Sequence, residues 1–205
     1  MTQENLHTDA PYAEFSKNAS ANMEKSIRSN ARFPEYVFNE KWEIFLFFDP
    51  DWVFVEEFPE KMKTLLEIEG GECACICNLD MEAGESGFGI KPNGTNSRYF
   101  FDKETTNDEY LKFLGGDGIV FGWDICIDSF ACTSDKHDWC FYCERRDEIA
   151  VIAFRNASEL ENYRPVLSQL YATPIKQAIE LPLTYPFSQL LPEWKRDLIK
   201  NYGKK

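Results

Sequence analysis

The chain has 205 residues, of which 43% are hydrophobic and 15% aromatic, so it has enough apolar material for a core and is not a largely disordered protein. Its formal net charge of −13, from 35 acidic and 22 basic residues, repels phosphate backbones and therefore disfavours nucleic acid as a direct partner. The same charge would speed association with a basic partner. The alternative is that the acidity only maintains solubility, and both explanations stay open.

From the sequence we expect no export or membrane signal. Residues 1–10 are polar and lack a positively charged stretch followed by an apolar run. The longest apolar runs, such as residues 44–48, are far too short to span a bilayer. We therefore expect a cytoplasmic protein without membrane partners, in which the seven cysteines are reduced.

Residue patterns in the first half of the chain predict alternating helices and strands. Apolar residues at spacings of three and four indicate helices, and aromatic runs indicate strands. Helices are predicted at residues 10–32 and 59–68, strands at 36–48, 52–55 and 72–79, and a long loop rich in Gly, Asn and Ser at 80–97.

The second half begins with strands and ends with helices. Strands are predicted at residues 98–101 and 119–127, a short helix between them at 107–114, a hairpin at 139–154, and helices at 158–171, 175–179 and 187–202. This order predicts an α+β fold with a central, mainly antiparallel sheet flanked by N- and C-terminal helices. We expect a single domain over residues 1–205, with 1–9 as a flexible leader and 156–205 as a helical C-terminal part.

The hairpin at residues 139–154 is the clearest pattern in the chain. An aromatic strand and an Ile/Val/Ala strand are joined by a short polar link at residues 145–147. The second strand is apolar on both faces and is therefore predicted to lie centrally in the sheet. Because side chains alternate along a strand, one face of the first strand carries Trp139, Phe141 and Cys143, and the other carries Cys140, Tyr142 and Glu144.

Two cysteine clusters are candidates for metal or redox sites. On a strand, Cys73, Cys75 and Cys77 project from one face at intervals of about 7 Å, which is too wide to close easily around one zinc ion. Small apolar side chains in a core are the favoured interpretation. Cys140 and Cys143 have C-x-x-C spacing but fall on opposite faces, and a second C-x-x-C for a zinc ribbon is missing. We expect no metal and no other cofactor.

The two histidines give little sign of catalysis. His7 lies in the polar leader, and His137 lies between charged residues in a turn, where a solvated loop position is expected. A nucleophilic pair of His137 with Cys132 or Cys140 stays open, because proximity in sequence does not decide alignment.

Carboxylates on the strands suggest a partner-binding surface. Asp124 and Asp128 interrupt one apolar strand, Glu144 and Glu148 flank the hairpin link, and Tyr142 supplies an exposed aromatic ring. Further negative charge comes from Glu56, Glu57, Glu82 and Glu85. The alternative for each residue is the solvated outer face of a half-exposed sheet.

The run W-C-F-Y-C-E-R-R-D-E-I-A-V-I-A, preceded by S-D-K-H-D, resembles a strand pair of bacterial immunity-type proteins from toxin–antitoxin and contact-inhibition systems. In those proteins a W-x-x-Y-x-E-R-x-x-E-I-A-V-I-like segment ends the sheet before C-terminal helices. The resemblance covers the hairpin and its approach. It implies a cytosolic protein that binds and blocks a cognate toxin, and many such families turn acidic surfaces towards nuclease toxins.

Three hypotheses follow. The first is a non-enzymatic immunity-type inhibitor of a basic protein toxin, in which acidic side chains pair with the toxin's Lys and Arg and aromatic rings supply contact area. The second is a small cytosolic enzyme with a thiol or carboxylate site, for example Cys140 with His137. The third is an accessory subunit whose exposed aromatics belong to an oligomer interface.

Overall fold

The computed structural model describes residues 10–28, 30–82, 98–115 and 127–203, with the backbone alone at 10–12, 81 and 82. These residues contain a six-stranded sheet in the order β1-β6-β5-β4-β2-β3, in which every neighbouring pair is antiparallel. The strands are β1 Ile44–Phe48, β2 Ala74–Asn78, β3 Arg98–Phe101, β4 Ser129–Ser134, β5 Trp139–Glu144 and β6 Ile149–Phe154.

Helices precede, interrupt and follow the strands, so the predicted α+β class with a central sheet and helices at both ends is confirmed. The α-helices are α1 Ala10–Ser26, α2 Phe58–Glu69, α3 Leu79–Glu82, α4 Asn107–Gly115, α5 Arg164–Gln169, α6 Ile175–Glu180, α7 Tyr185–Ser188 and α8 Pro192–Tyr202. Two 3-10 helices span Pro50–Phe54 and Ala157–Tyr163. None of the helices in the described ranges has the length and apolar content needed to cross a bilayer.

The sheet is covered on both faces. On the front face, α2, α4 and α5 bury Phe58, Met62 and Tyr110 against the strands. On the back face, α1, the segment at residues 27–38, and helices α6 to α8 bury Met23 and Phe187 against the strands. Each face therefore has its own apolar core, and a side chain on either face of a central strand is removed from water.

The predicted hairpin and the faces of its first strand are confirmed. Trp139 pairs with Phe154 and Glu144 with Ile149, and β6 lies between β1 and β5 as expected for a strand apolar on both faces. Trp139 belongs to the front core and Cys140 to the back core. The predicted exposure of Tyr142 is wrong, because helices cover the back face as well, and its side chain is fully buried.

Other sequence predictions differ from the structure for local reasons. Residues 50–54 form a 3-10 helix instead of a strand, because Pro50 starts it and the Asp49 carboxylate caps it by accepting a hydrogen bond from the Asp51 amide at 2.9 Å. The first helix ends at Ser26, and Ile27 pairs instead with Phe38. The predicted leader at 1–9, most of the loop at 80–97 and nearly all of the strand at 119–127 lie outside the described residues.

Candidate functional site

The structure describes four of the five residues predicted to bind a partner, and these four do not share one surface. Asp128 is exposed just before β4, and Glu148 is half-buried in the β5–β6 turn. Tyr142 is completely buried and Glu144 is 7% exposed, so the prediction that both lie on an open surface is wrong. Asp124 lies outside the described residues. Asp128 and Glu144 meet in one cleft, whereas Glu148 belongs to a neighbouring acidic surface.

Glu144 is held at the end of β5 by two hydrogen bonds to one of its oxygens. Its Oε1 accepts from the Phe33 backbone amide at 2.8 Å and from the Tyr142 hydroxyl at 2.6 Å. The Tyr142 ring packs edge-on against Phe33, with centroids 5.1 Å apart. Burial is the largest cause that raises the pKa of Glu144, to about 7. The carboxyl therefore connects the hairpin to the segment before β1 and titrates near neutrality.

A cleft of about 390 Å³ opens beside Glu144, where the β5–β6 turn, the beginning of β4 and the beginnings of α3 and α8 meet. Its charged lining consists of four carboxylates and two guanidinium groups, an excess of two negative charges when all are ionised. The lining residues are Arg32, Phe33, Asp80, Asp128, Ser129, Glu144, Arg146, Asp147 and Trp194.

Asp80 fixes the shape of this cleft. Its Oδ2 accepts hydrogen bonds from the backbone amides of Asp128 and Ser129, both at 2.8 Å, and its Oδ1 accepts from the Ser129 hydroxyl. Arg32 lies 3.9 Å from the same carboxylate. Because Asp80 is occupied in this way, its role is to hold the start of β4 in place, and Asp128, Glu144 and Asp147 remain as the carboxylates facing the cleft. In the described ranges, no group of three or more His, Cys, Asp or Glu side chains has the arrangement of a metal site.

A second acidic surface surrounds the 3-10 helix at residues 50–54. Residues 49–57 carry four carboxylates and no basic residue. Burial is the largest cause that raises the pKa of Glu148, and the Asp51 and Asp49 carboxylates raise it further. Together these residues form what we call the acidic face: Asp49, Asp51, Glu56, Glu57 and Glu148. A long ion pair, 3.9 Å between Arg145 and Asp51, joins this face to the hairpin turn.

Two aromatic rings meet at this 3-10 helix: Trp52 belongs to the helix, and Tyr171 lies beside it. Trp52 is half-buried, and the ring of Tyr171 lies 5.8 Å from it. Tyr171 is 66% exposed and has a φ of +52°, a conformation that is rare for a residue with a bulky side chain. The Lys61 ammonium lies 5.4 Å from the Trp52 ring on the buried side. Sequence reasoning missed this pair, because Tyr171 ended a predicted helix and Trp52 began a predicted strand.

His137 is buried, at 8% exposure, and the prediction of a solvated loop position is wrong. Its Nδ1 lies 2.7 Å from Arg155 Nη2, and its Nε2 lies 2.5 Å from Ser26 Oγ, which itself donates to the Asn22 carbonyl at 2.7 Å. Because the Ser26 hydroxyl donates to Asn22, its oxygen accepts from His137, so Nε2 carries the proton and Nδ1 accepts from Arg155. Arg155 Nη2 also lies 3.2 Å from Nε2. Burial and Arg155 lower the pKa of His137 to about 4.

The direction of these hydrogen bonds is the reverse of what nucleophilic catalysis requires. A general-base histidine accepts the hydroxyl proton through the nitrogen that faces the serine, whereas the nitrogen of His137 that faces Ser26 donates. Ser26 is itself fully buried. The cluster is a closed chain of donors and acceptors that ties α1 to the β4–β5 turn.

The cysteines are core side chains in the described part of the chain. Cys140 and Cys143 lie in the back and front cores, so the predicted placement of the C-x-x-C pair on opposite faces is confirmed. Burial raises the pKa of the thiols at Cys132, Cys140 and Cys143 well above the ordinary value. These thiols are therefore poor nucleophiles at neutral pH. The seventh cysteine, Cys126, lies outside the described residues.

Two surfaces thus remain as functional candidates: the acidic face with Trp52 and Tyr171, and the cleft beside Glu144. No family model, curated protein or solved structure matches the chain.

Proposed function

We propose that this chain is a non-enzymatic, acidic binding protein of the immunity type, which acts in the cytoplasm and neutralises a basic protein toxin by covering its active or substrate-binding surface. The observation that carries the proposal is the acidic face beside the exposed Tyr171 ring. Carboxylates and a rigid aromatic side chain on one surface are the combination that a basic protein partner recognises.

The electrostatic part of the proposal depends on repulsion within the acidic face. Glu148 lies close enough to Asp49 and Asp51 for their charges to raise its pKa. A lysine or arginine placed among these carboxylates relieves that repulsion. The binding free energy of a basic partner is therefore more favourable. The net charge of −13 extends the attraction beyond the contact itself and steers a basic partner towards the protein.

The packing part depends on Tyr171 and on the scaffold beneath it. An aromatic side chain that is 66% exposed offers a large contact area with few rotatable bonds to immobilise. Its left-handed backbone costs energy in the free protein, and such outliers concentrate at ligand-binding positions. Val53 and Phe58 bury the inner side of the 3-10 helix and of α2, so the acidic face is preorganised.

The thiol-enzyme hypothesis receives no comparable support. Burial raises the pKa of the Cys140 thiol, and the protonated nitrogen of His137 is directed at Ser26. Both features oppose the formation of a thiolate–imidazolium pair.

The test is affinity capture of the tagged protein from its native host with two double variants of equal charge change. Asp51→Lys/Glu57→Lys alters the acidic face, and Glu104→Lys/Glu161→Lys alters exposed carboxylates elsewhere. We expect wild type and the second variant to retain one basic protein at near one-to-one ratio, and the first variant to lose it. With that protein purified, association at low salt should be about tenfold slower for the first variant.

Two results would contradict the proposal. Capture of the same proteins by all three forms would remove the acidic face from consideration. A stable homo-oligomer by light scattering that dissociates on Tyr171→Ala would favour the accessory-subunit hypothesis instead.

A further inference from the structure

The cleft beside Glu144 contains a partly used hydrogen-bond acceptor. Glu144 is 7% exposed, its Oε1 accepts two hydrogen bonds, and no residue in the described ranges donates to its Oε2. The carboxyl lines a cleft of about 390 Å³, a volume large enough for one long side chain or a small ligand. A buried acceptor with spare capacity at the wall of an accessible cleft indicates a donor ligand.

The charges around Glu144 indicate that this donor is a cation. Asp128 and Asp147 add carboxylates to the lining, whereas Arg32 is directed at Asp80 and donates to the Ala31 carbonyl at 3.0 Å. Trp194 also lines the cleft, and indole rings attract guanidinium and ammonium groups at their π-faces.

Two lining cations oppose such a ligand: Arg32, whose charge also reaches Glu144 and lowers its pKa against the larger effect of burial, and Arg146. Arg146 and Asp128 are both exposed, so solvent and salt screen these two opposite charges alike, and more than they screen the charges deeper in the cleft. Asp80, Asp128 and Asp147 alone outnumber the two arginines, and ionisation of Glu144, whose pKa is about 7, adds a second excess negative charge, so the site is net negative.

We propose that this cleft binds one cationic side chain, an arginine or a lysine, presented by the basic partner. The inference rests on the proposed function, because the β5–β6 turn joins the cleft, through Asp147, to the acidic face, through Glu148. A partner that straddles the turn inserts the cationic side chain beside Glu144 while its other basic residues meet the acidic face.

The experiment uses a pair of small probes that differ in charge. N-acetyl-arginine methylamide and its neutral citrulline counterpart are titrated into the full chain with labelled Glu carboxyl carbons and Trp indoles, and NMR follows Glu144 and Trp194. The arginine probe should bind and lower the pKa of Glu144, because a cation favours the carboxylate. The citrulline probe should leave both signals unchanged.

Single substitutions test which carboxylates contribute to binding of the arginine probe. Glu144→Gln keeps an acceptor for the Phe33 amide and should weaken probe binding about tenfold. Asp128→Asn, at an exposed position, should weaken it severalfold without affecting folding, and Glu104→Gln should have no effect. Equal binding of the two probes, or equal binding by Glu144→Gln, Asp128→Asn and wild type, would overturn the inference.

The same variants separate this inference from the proposed function. Asp51→Lys/Glu57→Lys should abolish capture of the partner while the arginine probe still binds. Capture that depends on the acidic face, with no probe binding, would refute the cleft site and leave the docking surface intact. Probe binding without any basic partner would refute the docking proposal and leave a site for a small cation.

Discussion

A buried titratable side chain lies at each end of β5, and the two side chains differ in how many of their hydrogen-bonding atoms are used within the protein. His137, in the turn before β5, uses both ring nitrogens within the protein, with Arg155 on one side and Ser26 on the other. Glu144, at the other end, uses one oxygen within the protein and presents the other to a cleft. Burial of an ionisable group is therefore not by itself a sign of function. The informative feature is hydrogen-bonding capacity left over at an accessible wall.

The two groups also respond to pH in opposite directions, although burial is the first cause in both. The pKa of His137 is lowered from 6.5 to about 4, so its contribution to stability is present above pH 6.5 and is lost as the pH falls through 4. The pKa of Glu144 is raised from 4.5 to about 7, so its contribution is present below pH 4.5 and is lost as the pH rises through 7. Each end of β5 thus weakens in a different pH window.

The largest expected effect is at His137. Replacement by alanine leaves Ser26 Oγ and the Arg155 guanidinium without their shared partner, and we expect the free energy of unfolding to fall by roughly 2–4 kcal/mol in denaturant titrations at pH 7. Lys136→Ala, at an exposed neighbour, is the matched control. His137→Gly tolerates the φ of +68° and should still lose most of the stability. Full stability in the glycine variant would mean that backbone strain, and not the hydrogen-bond chain, is the relevant feature.

The next effect is the pH dependence at Glu144. Relative to wild type, Glu144→Gln should become more stable as the pH rises from 4.5 to 7 and level off above 7, because only the wild type must ionise a buried carboxyl. The expected span is roughly 1–3 kcal/mol, measured as the difference between the unfolding free energies of the two proteins across that range. A difference that does not vary with pH would show that Glu144 ionises as readily in the folded chain as in the unfolded one.

Glu69 provides an independent comparison for this measurement. Burial is the main cause that raises its pKa to about 8, and both of its carboxylate oxygens are buried. Glu69→Gln should therefore also gain stability relative to wild type as the pH rises, with the gain continuing to about pH 8. Because Glu69 lies at the end of α2 and does not line the cleft, this variant should bind the arginine probe as wild type does.

A smaller effect is expected at Asp80. Asp80→Asn removes the negative charge that accepts from two backbone amides and from the Ser129 hydroxyl, and should cost roughly 1 kcal/mol of stability. The arginine probe should also bind more weakly, because the start of β4 is no longer fixed. If this variant is less stable but binds the arginine probe with unchanged affinity, probe binding does not depend on the position of the start of β4.

The smallest effect is expected at Arg146. Arg146→Ala should change stability by less than about 0.5 kcal/mol, since its side chain is exposed. It should raise affinity for the arginine probe about twofold, because one of the two cations that line the cleft is removed. Weaker probe binding in this variant would indicate that Arg146 contacts the ligand directly.

The sequence by itself determined the features that depend on neighbouring residues. The period of two along β5 assigned Trp139 and Cys140 to opposite faces, and the apolar run of β6 placed that strand inside the sheet. The glycine after α2 has the left-handed conformation expected of a helix end, with a φ of +68°. Such features are local because backbone geometry and side-chain alternation act over a few residues.

Only the tertiary structure decided which faces are covered and which charges meet. The back face of β5 is buried by residues more than a hundred positions before it and by α8 after it, so Tyr142, Glu144 and His137 could not be recognised as buried from their own neighbourhoods. The contact between Trp52 and Tyr171 likewise joins distant parts of the chain. Local patterns report that a face is apolar or charged. Whether another element covers it depends on long-range packing, and at this protein's candidate sites that packing decides whether a carboxyl lies in the core or faces a cleft.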